Sequence, residues 1–220
     1  MKNVIGFLKE LKNNNDRPWF EANKQKYLVA KDEFEALVKD VAEEMNKVDM
    51  IEQSKIFRIY RDVRFSKDKS PYKENMGASF SRATKLLRGG YYLHIEPGNS
   101  FVGGGFWQPE PQDLKRIRDE FAINPEPILD ILNNKAFKDC FGALSSDDSL
   151  KTPPKGYDKS LPAIDLIKYK SYVAMKSFKD ADILKGDFKD EVVHVFKTLR
   201  PFFDYMSEVL TTNLDGESIV

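Results

Sequence analysis

Hydrophobic and polar positions alternate with two different periods along this chain, and the changes of period divide it into elements. Val4, Phe7, Leu8 and Leu11 recur at helical spacing, which predicts a short opening helix. Asn13-Asn14-Asn15-Asp16 is turn chemistry, with Asp16 placed to cap a long helix that carries Pro18 in its first turn. Tyr27, Phe34, Leu37, Val38, Val41 and Met45 mark the apolar face of that helix, which ends near Asn46. Beyond it the period shortens to two. Over 56–65, Phe57, Ile59, Val63 and Phe65 point one way, while Arg58, Tyr60, Asp62 and Arg64 point the other, which predicts a first strand.

Further strands are predicted over 76–82, 91–96 and 101–107, the last two joined by the turn Pro97-Gly98-Asn99. Pro109 and Pro111 introduce a helix through about Phe121, and another is predicted over 127–137. Residues 142–160, rich in Ser, Asp and Pro, read as a long surface loop, and 169–178 as the last strand. Asp187 is placed to cap a final helix with the stripe Phe188, Val192, Val195, Phe196, Leu199, Phe203, Met206 and Leu210, kinked at Pro201. Strands that neighbour one another in sequence favour an α+β fold: a mainly antiparallel sheet of about five strands, with long N- and C-terminal helices packed on it. No repeat or composition break divides the chain, so a single domain over 1–220 is expected.

Composition refines this picture little. At 220 residues, 41% hydrophobic and 32% charged, the chain can bury a sizeable core. Its 35 basic and 35 acidic side chains cancel, which counts against a general nucleic-acid coat or a membrane-surface binder. No apolar run reaches the roughly 20 residues needed to span a bilayer, and the first ten residues lack a signal-peptide pattern. Cys140 is the single cysteine, so no intramolecular disulfide framework exists and a reducing, cytoplasmic location is expected.

The candidate chemistry gathers in residues 58–73. On a strand, Arg58, Tyr60, Asp62 and Arg64 share a face with a spacing of roughly 7 Å. Arg61 falls on the apolar face, where a guanidinium needs a carboxylate, carbonyls or a ligand. The adjoining turn adds Lys67, Lys69 and Lys73 around Asp68, with Pro71-Tyr72 as a rigid corner. Such a set of fork and point-charge donors suits a phosphate or carboxylate. Two rival readings use the same residues. One is a protein- or nucleic-acid-interaction patch. The other is a structural network in which Asp62 and Asp68 satisfy the arginines. His94 and Glu96, two apart on a predicted strand, could transfer a proton or sit as a half-exposed sheet pair; they are too few for a metal site. Gly103-Gly104-Gly105 matches neither phosphate-loop fingerprint and reads as a strand approached closely by another backbone, or as a ligand floor. Trp107 could pack in the core or stack on a base. The proposed ligand-binding set is therefore Arg58, Tyr60, Arg61, Asp62, Arg64, Lys67, Lys69, Tyr72, Lys73, His94, Glu96 and Trp107, with no metal and no cofactor assigned.

The run Arg58-Ile59-Tyr60-Arg61-Asp62-Val63-Arg64-Phe65-Ser66-Lys67-Asp68-Lys69-Ser70-Pro71-Tyr72-Lys73 resembles the hallmark of the family known as domain of unknown function 2461. The opening from Phe7 to Phe20, Tyr91–Pro97, Gly103–Gly105 with its aromatics, and Leu114–Arg118 are similar to further motifs of that family. The resemblance covers nearly the whole chain and implies membership. It implies no activity and no catalytic residues.

Overall fold

The computed structural model describes residues 1–220. Helices α1 (Lys2–Asn13), α2 (Arg17–Ala22) and α3 (Lys24–Met45) open the chain. Strands β1 (Ile51–Ile56), β2 (Met76–Arg82), β3 (Gly90–Ile95) and β4 (Ser100–Phe106) come next. The rest comprises α4 (Pro111–Ile123), α5 (Glu126–Asn133), α6 (Lys135–Phe141), α7 (Ile164–Ile167), β5 (Tyr172–Phe178), α8 (Asp180–Ile183) and α9 (Phe188–Thr211). The strands form one antiparallel sheet in sequence order, β1-β2-β3-β4-β5, so the fold is α+β. No helix is long and apolar enough to cross a membrane.

Contacts gather the chain into two compact units. One comprises Met1–Phe80, Tyr92–Val102 and Ser177–His194; the other comprises Ser81–Tyr91, Gly103–Lys176 and Val195–Val220. Each is assembled from three separate stretches, so no single cut in the chain divides them and no break in composition marks them.

In the first unit, Glu33 on α3 accepts from the Met1 amino group at 2.8 Å and from the Val4 N–H at 3.0 Å, which ties down the start of α1. Asp16 caps α2 as its position predicts, accepting from the Trp19 N–H at 2.8 Å. The apolar face of α3 buries Phe34, Val38, Val41 and Met45; Met76, Ala78, Phe80, Leu93 and Ile95 are the buried apolar positions of β2 and β3 in this unit.

In the second unit, Tyr91 packs against Phe196 and Phe203 of α9, with ring centroids 4.7 and 4.8 Å apart. The Arg82 guanidinium is fully buried and donates to Asp204 Oδ1 at 2.6 Å, to Ser207 Oγ at 3.3 Å and to the Arg88 carbonyl at 3.2 Å. The glycine run of β4 is a close backbone approach: a Cβ on Gly103 would stand 2.1 Å from the Ala174 carbonyl oxygen, and one on Gly105 would stand 2.1 Å from that of Tyr172. The segment after α6 is anchored at Tyr157, whose hydroxyl donates to Asp119 Oδ1 at 2.7 Å. Burial and the Asp119 carboxylate push that phenol up to about 12.

Four expected elements are corrected. The long helix expected from Asp16 to about Asn46 is two, α2 and α3, because Asn23 leaves the helix between them. The first strand is Ile51–Ile56, not 56–65, and the chain beyond it forms a loop closed by a single Tyr60–Tyr72 bridge. The helix expected over 127–137 is two, because Asn134 leaves the helix and caps α6 by accepting from the Ala136 N–H at 2.9 Å. The last strand begins at Tyr172; Tyr169 lies before it and makes an isolated bridge to Ser149.

Gly105→Ala should cost about 3 kcal/mol in urea denaturation, since its φ of 146° and the Tyr172 carbonyl both exclude a methyl group. Gly6→Ala, with nothing near its Cβ in a helix, should stabilise by about 0.5–1 kcal/mol. The raised pKa of Tyr157 favours its neutral form in the fold. Its stabilisation is therefore complete below the ordinary tyrosine value of 10.0 and disappears as the pH rises through about 12. Tyr172 and Tyr205 are raised further by burial, so alkaline titration at 295 nm should show several late phenol steps, of which Tyr157→Phe removes one near pH 12.

Candidate functional site

The segment from Phe57 to Lys73 begins where β1 gives up its ladder. Phe57 N–H still donates to the Gly77 carbonyl at 2.9 Å. Past it the chain pairs with itself: Lys73 N–H donates to the Ile59 carbonyl at 2.7 Å, and Arg61 N–H to the Pro71 carbonyl at 2.9 Å. Between these rungs, short side chains take over the backbone bonds. Asp62 accepts from the Arg64 N–H at 3.2 Å, and Asp68 from the Ser70 N–H at 2.9 Å. Such local acceptors compete with a sheet ladder and turn it into a loop. The alternation over 58–64 is thus not that of a strand, and Arg58, Tyr60, Asp62 and Arg64 do not share a strand face.

The loop divides its charges into two groups. Arg61 pairs with Asp68 and reaches Ser66 Oγ at 3.4 Å, so the guanidinium expected to need a carboxylate has one. Ser70 and Arg61 together hold the Asp68 carboxyl well below the ordinary carboxylate range. Arg64 forks onto Asp62 at 2.6 and 3.0 Å, and it is the main cause of that carboxyl's lowered pKa. Lys69 donates to the Val63 carbonyl at 2.9 Å, and Lys67 is exposed. Arg61, Arg64 and Lys69 thus staple their own turn, as the structural-network reading expects.

Arg58 and Lys73 are different. Lys73 is half-buried, and its ammonium is lowered first by burial and then by the like charge of Arg58. No carboxylate acts on it. Its Nζ lies 5.5 Å from the centroid of the Phe57 ring, and Lys55 Nζ lies 5.9 Å from the same ring. Tyr72, proposed as a ligand contact, is instead 2% exposed and stacked on Phe20, with centroids 4.0 Å apart and planes at 13°. Tyr60 is half-exposed beside it, 5.2 Å from the Tyr72 ring.

Phe57 also touches the Tyr92 ring, at 6.1 Å, on the face of β3 opposite buried Leu93 and Ile95. On that face the Tyr92 hydroxyl lies 3.4 Å from His94 Nδ1, and His94 Nε2 lies 3.0 Å from Glu96 Oε2. The expected His94–Glu96 pair is real. His94 is buried rather than half-exposed, however, because its ring stacks on Phe101 at 4.6 Å. Burial raises the Tyr92 phenol. Trp107 belongs to the second unit and is 66% exposed. No group of three or more His, Cys, Asp or Glu side chains converges as metal ligands.

A cleft of about 270 Å³ adjoins this region within the first unit. Tyr27, Lys31, Phe34 and Glu35 of α3 form one wall, residues 56–60 another, and Asn75 and Met76 complete it. Arg58 and Tyr60 are thus the two proposed residues that line this cleft. Sequence reasoning does not find Phe57 or Lys55. Alternation assigns Phe57 to the core, yet it is 38% exposed, and Lys55 falls outside the expected strand.

A family model described as "Conserved hypothetical protein (DUF2461)" matches residues 3–205, and the chain belongs to that family. No curated protein and no solved structure matches it.

Arg58→Ala should raise the titration midpoint of Lys73, because it removes the like charge that helps lower it; Arg64→Ala should leave that midpoint unchanged. Carbon-13 NMR of reductively methylated lysines reads both. An unmoved Lys73 signal in Arg58→Ala would show that the two cations do not interact.

Proposed function

We propose that this DUF2461 member binds a small anionic ligand, bearing a phosphate or carboxylate, at Arg58 and Lys73. The observation that carries the reading is a half-buried Lys73 beside the like charge of Arg58, neither of them in an ion pair with a carboxylate. Lys73 is held at a depressed pKa by burial and by Arg58. An anion seated between the two would remove their mutual repulsion and supply the charge partner that the fold withholds. Arg supplies a planar fork and Lys a point charge, a combination suited to a tetrahedral or planar oxyanion. Arg61 and Arg64, satisfied by Asp68 and Asp62, belong to the structural-network reading instead. A short cluster of cations in a chain of zero net charge favours a small ligand over a nucleic-acid strand, which needs a longer basic track.

Thermal denaturation with inorganic phosphate, citrate and acetate, each balanced with sodium chloride for ionic strength, tests this. A ligand at one hundred times its Kd stabilises by about 2.7 kcal/mol, a shift of several degrees for a chain of this length. The wild-type Tm should rise with at least one of the three anions. Arg64→Ala should keep the rise, and Arg58→Ala and Lys73→Ala should lose it. A flat wild-type Tm, or a rise that survives in both cation variants, rules the site out.

A further inference from the structure

We infer that the ligand carries one aromatic ring, and that this ring occupies the cleft between α3 and residues 56–60 while the anionic head rests on Arg58 and Lys73. The inference rests on the anion-binding reading above and adds the class of molecule. The cleft and the cation pair share residues: Arg58 lines the cleft, and Phe57 both lines it and lies under the Lys73 ammonium, 5.5 Å from its ring centroid.

The walls are chiefly apolar. Phe34, Ile59 and Met76 are buried side chains with an edge on the cleft, and Tyr27 and Tyr60 add aromatic surface. The carboxylate there, Glu35, is bound by Lys31 at 2.8 Å, so that pair is neutral as a unit. Arg58 is the charge on the cavity that forms no ion pair; its field reaches Asp62, which Arg64 already forks. An apolar recess with one directing charge at its edge is the usual form of a small-molecule site.

The size selects the body. A cavity of about 150 Å³ admits benzene. The cleft, at about 270 Å³, holds one ring with its linking atoms and falls short of the common range for drug-sized ligands. Flanking aromatic rings favour a ring over an acyl chain through edge-to-face and offset contacts. An aryl phosphate or an arylcarboxylate fits both halves of the site.

Calorimetry at constant ionic strength tests the inference with four probes: inorganic phosphate against phenyl phosphate, and acetate against phenylacetate. The ring-bearing member of at least one pair should bind about tenfold more tightly to the wild type. Asn75→Trp and Ile56→Trp place bulk on the cleft from separate positions; circular dichroism and Tm establish that each variant is folded. Either substitution should abolish the ring advantage and leave phosphate binding at its wild-type strength. If phosphate and phenyl phosphate bind alike, and acetate and phenylacetate likewise, the ring inference falls while the cation site stands. A ring advantage that survives in both folded Trp variants also overturns it. If none of the four binds, the cation site itself is wrong and the inference falls with it.

Discussion

The stacked rings of Phe20 and Tyr72, 4.0 Å apart and nearly parallel, hold the region around which the first unit's charges are arranged. Tyr72 is a side chain of a long irregular segment, yet it is one of the largest fully buried groups in the protein. Asn15 fastens its backbone on both sides, accepting from its N–H and donating to its carbonyl, each at 3.1 Å. With Tyr72 set, Pro71 and Lys73 fall opposite Arg61 and Ile59, and the two rungs that close the loop form there. An aromatic pair contributes roughly 0.5–1.5 kcal/mol beyond its buried area. That is enough to favour one register in a segment whose other bonds are exposed. The position of the cations is therefore decided by α2 and the turn before it, far from them in sequence.

Within that frame, charge is either neutralised locally or left uncompensated. At the tip of the loop Asp62 and Asp68, both exposed, pair with Arg64 and Arg61 and shape a turn. Its base keeps Arg58 and Lys73 close together beside an apolar recess. Burying part of an ammonium next to a guanidinium is unfavourable by itself. The same surroundings strengthen the attraction of either cation for an anion that displaces the water there. Phe57 and Arg58 join the cleft to the charge pair: both line the cleft, and the Phe57 ring lies 5.5 Å from the Lys73 ammonium.

How far the site is legible in the residues depends on the physics of each signal. Periodicity over ten or more residues locates the long helices, and alternation locates three of the strands closely, because amphipathic patterns report burial directly. Alternation over 56–65 misleads because it survives in a loop whose Asp side chains replace the ladder. The cap at Asn134 is hidden inside an otherwise continuous helical pattern. The glycine run is legible as a close approach, although its partners, Tyr172 and Ala174, lie some seventy residues away. His94 and Glu96 are correctly paired by their spacing of two, but the burial of His94 depends on Phe101 from the next strand.

The sequence by itself determined the α+β class, the family and the stretch in which cations gather. These are properties of neighbours along the chain, where distance is bounded by covalent geometry. The tertiary structure alone decided which of those cations lack a counter-charge, that Tyr72 is core while Phe57 and Lys55 are at the surface, and that α3 turns a cleft toward Arg58. Those outcomes depend on contacts between segments separated by tens of residues. Their strength comes from packing and desolvation, which no linear pattern records.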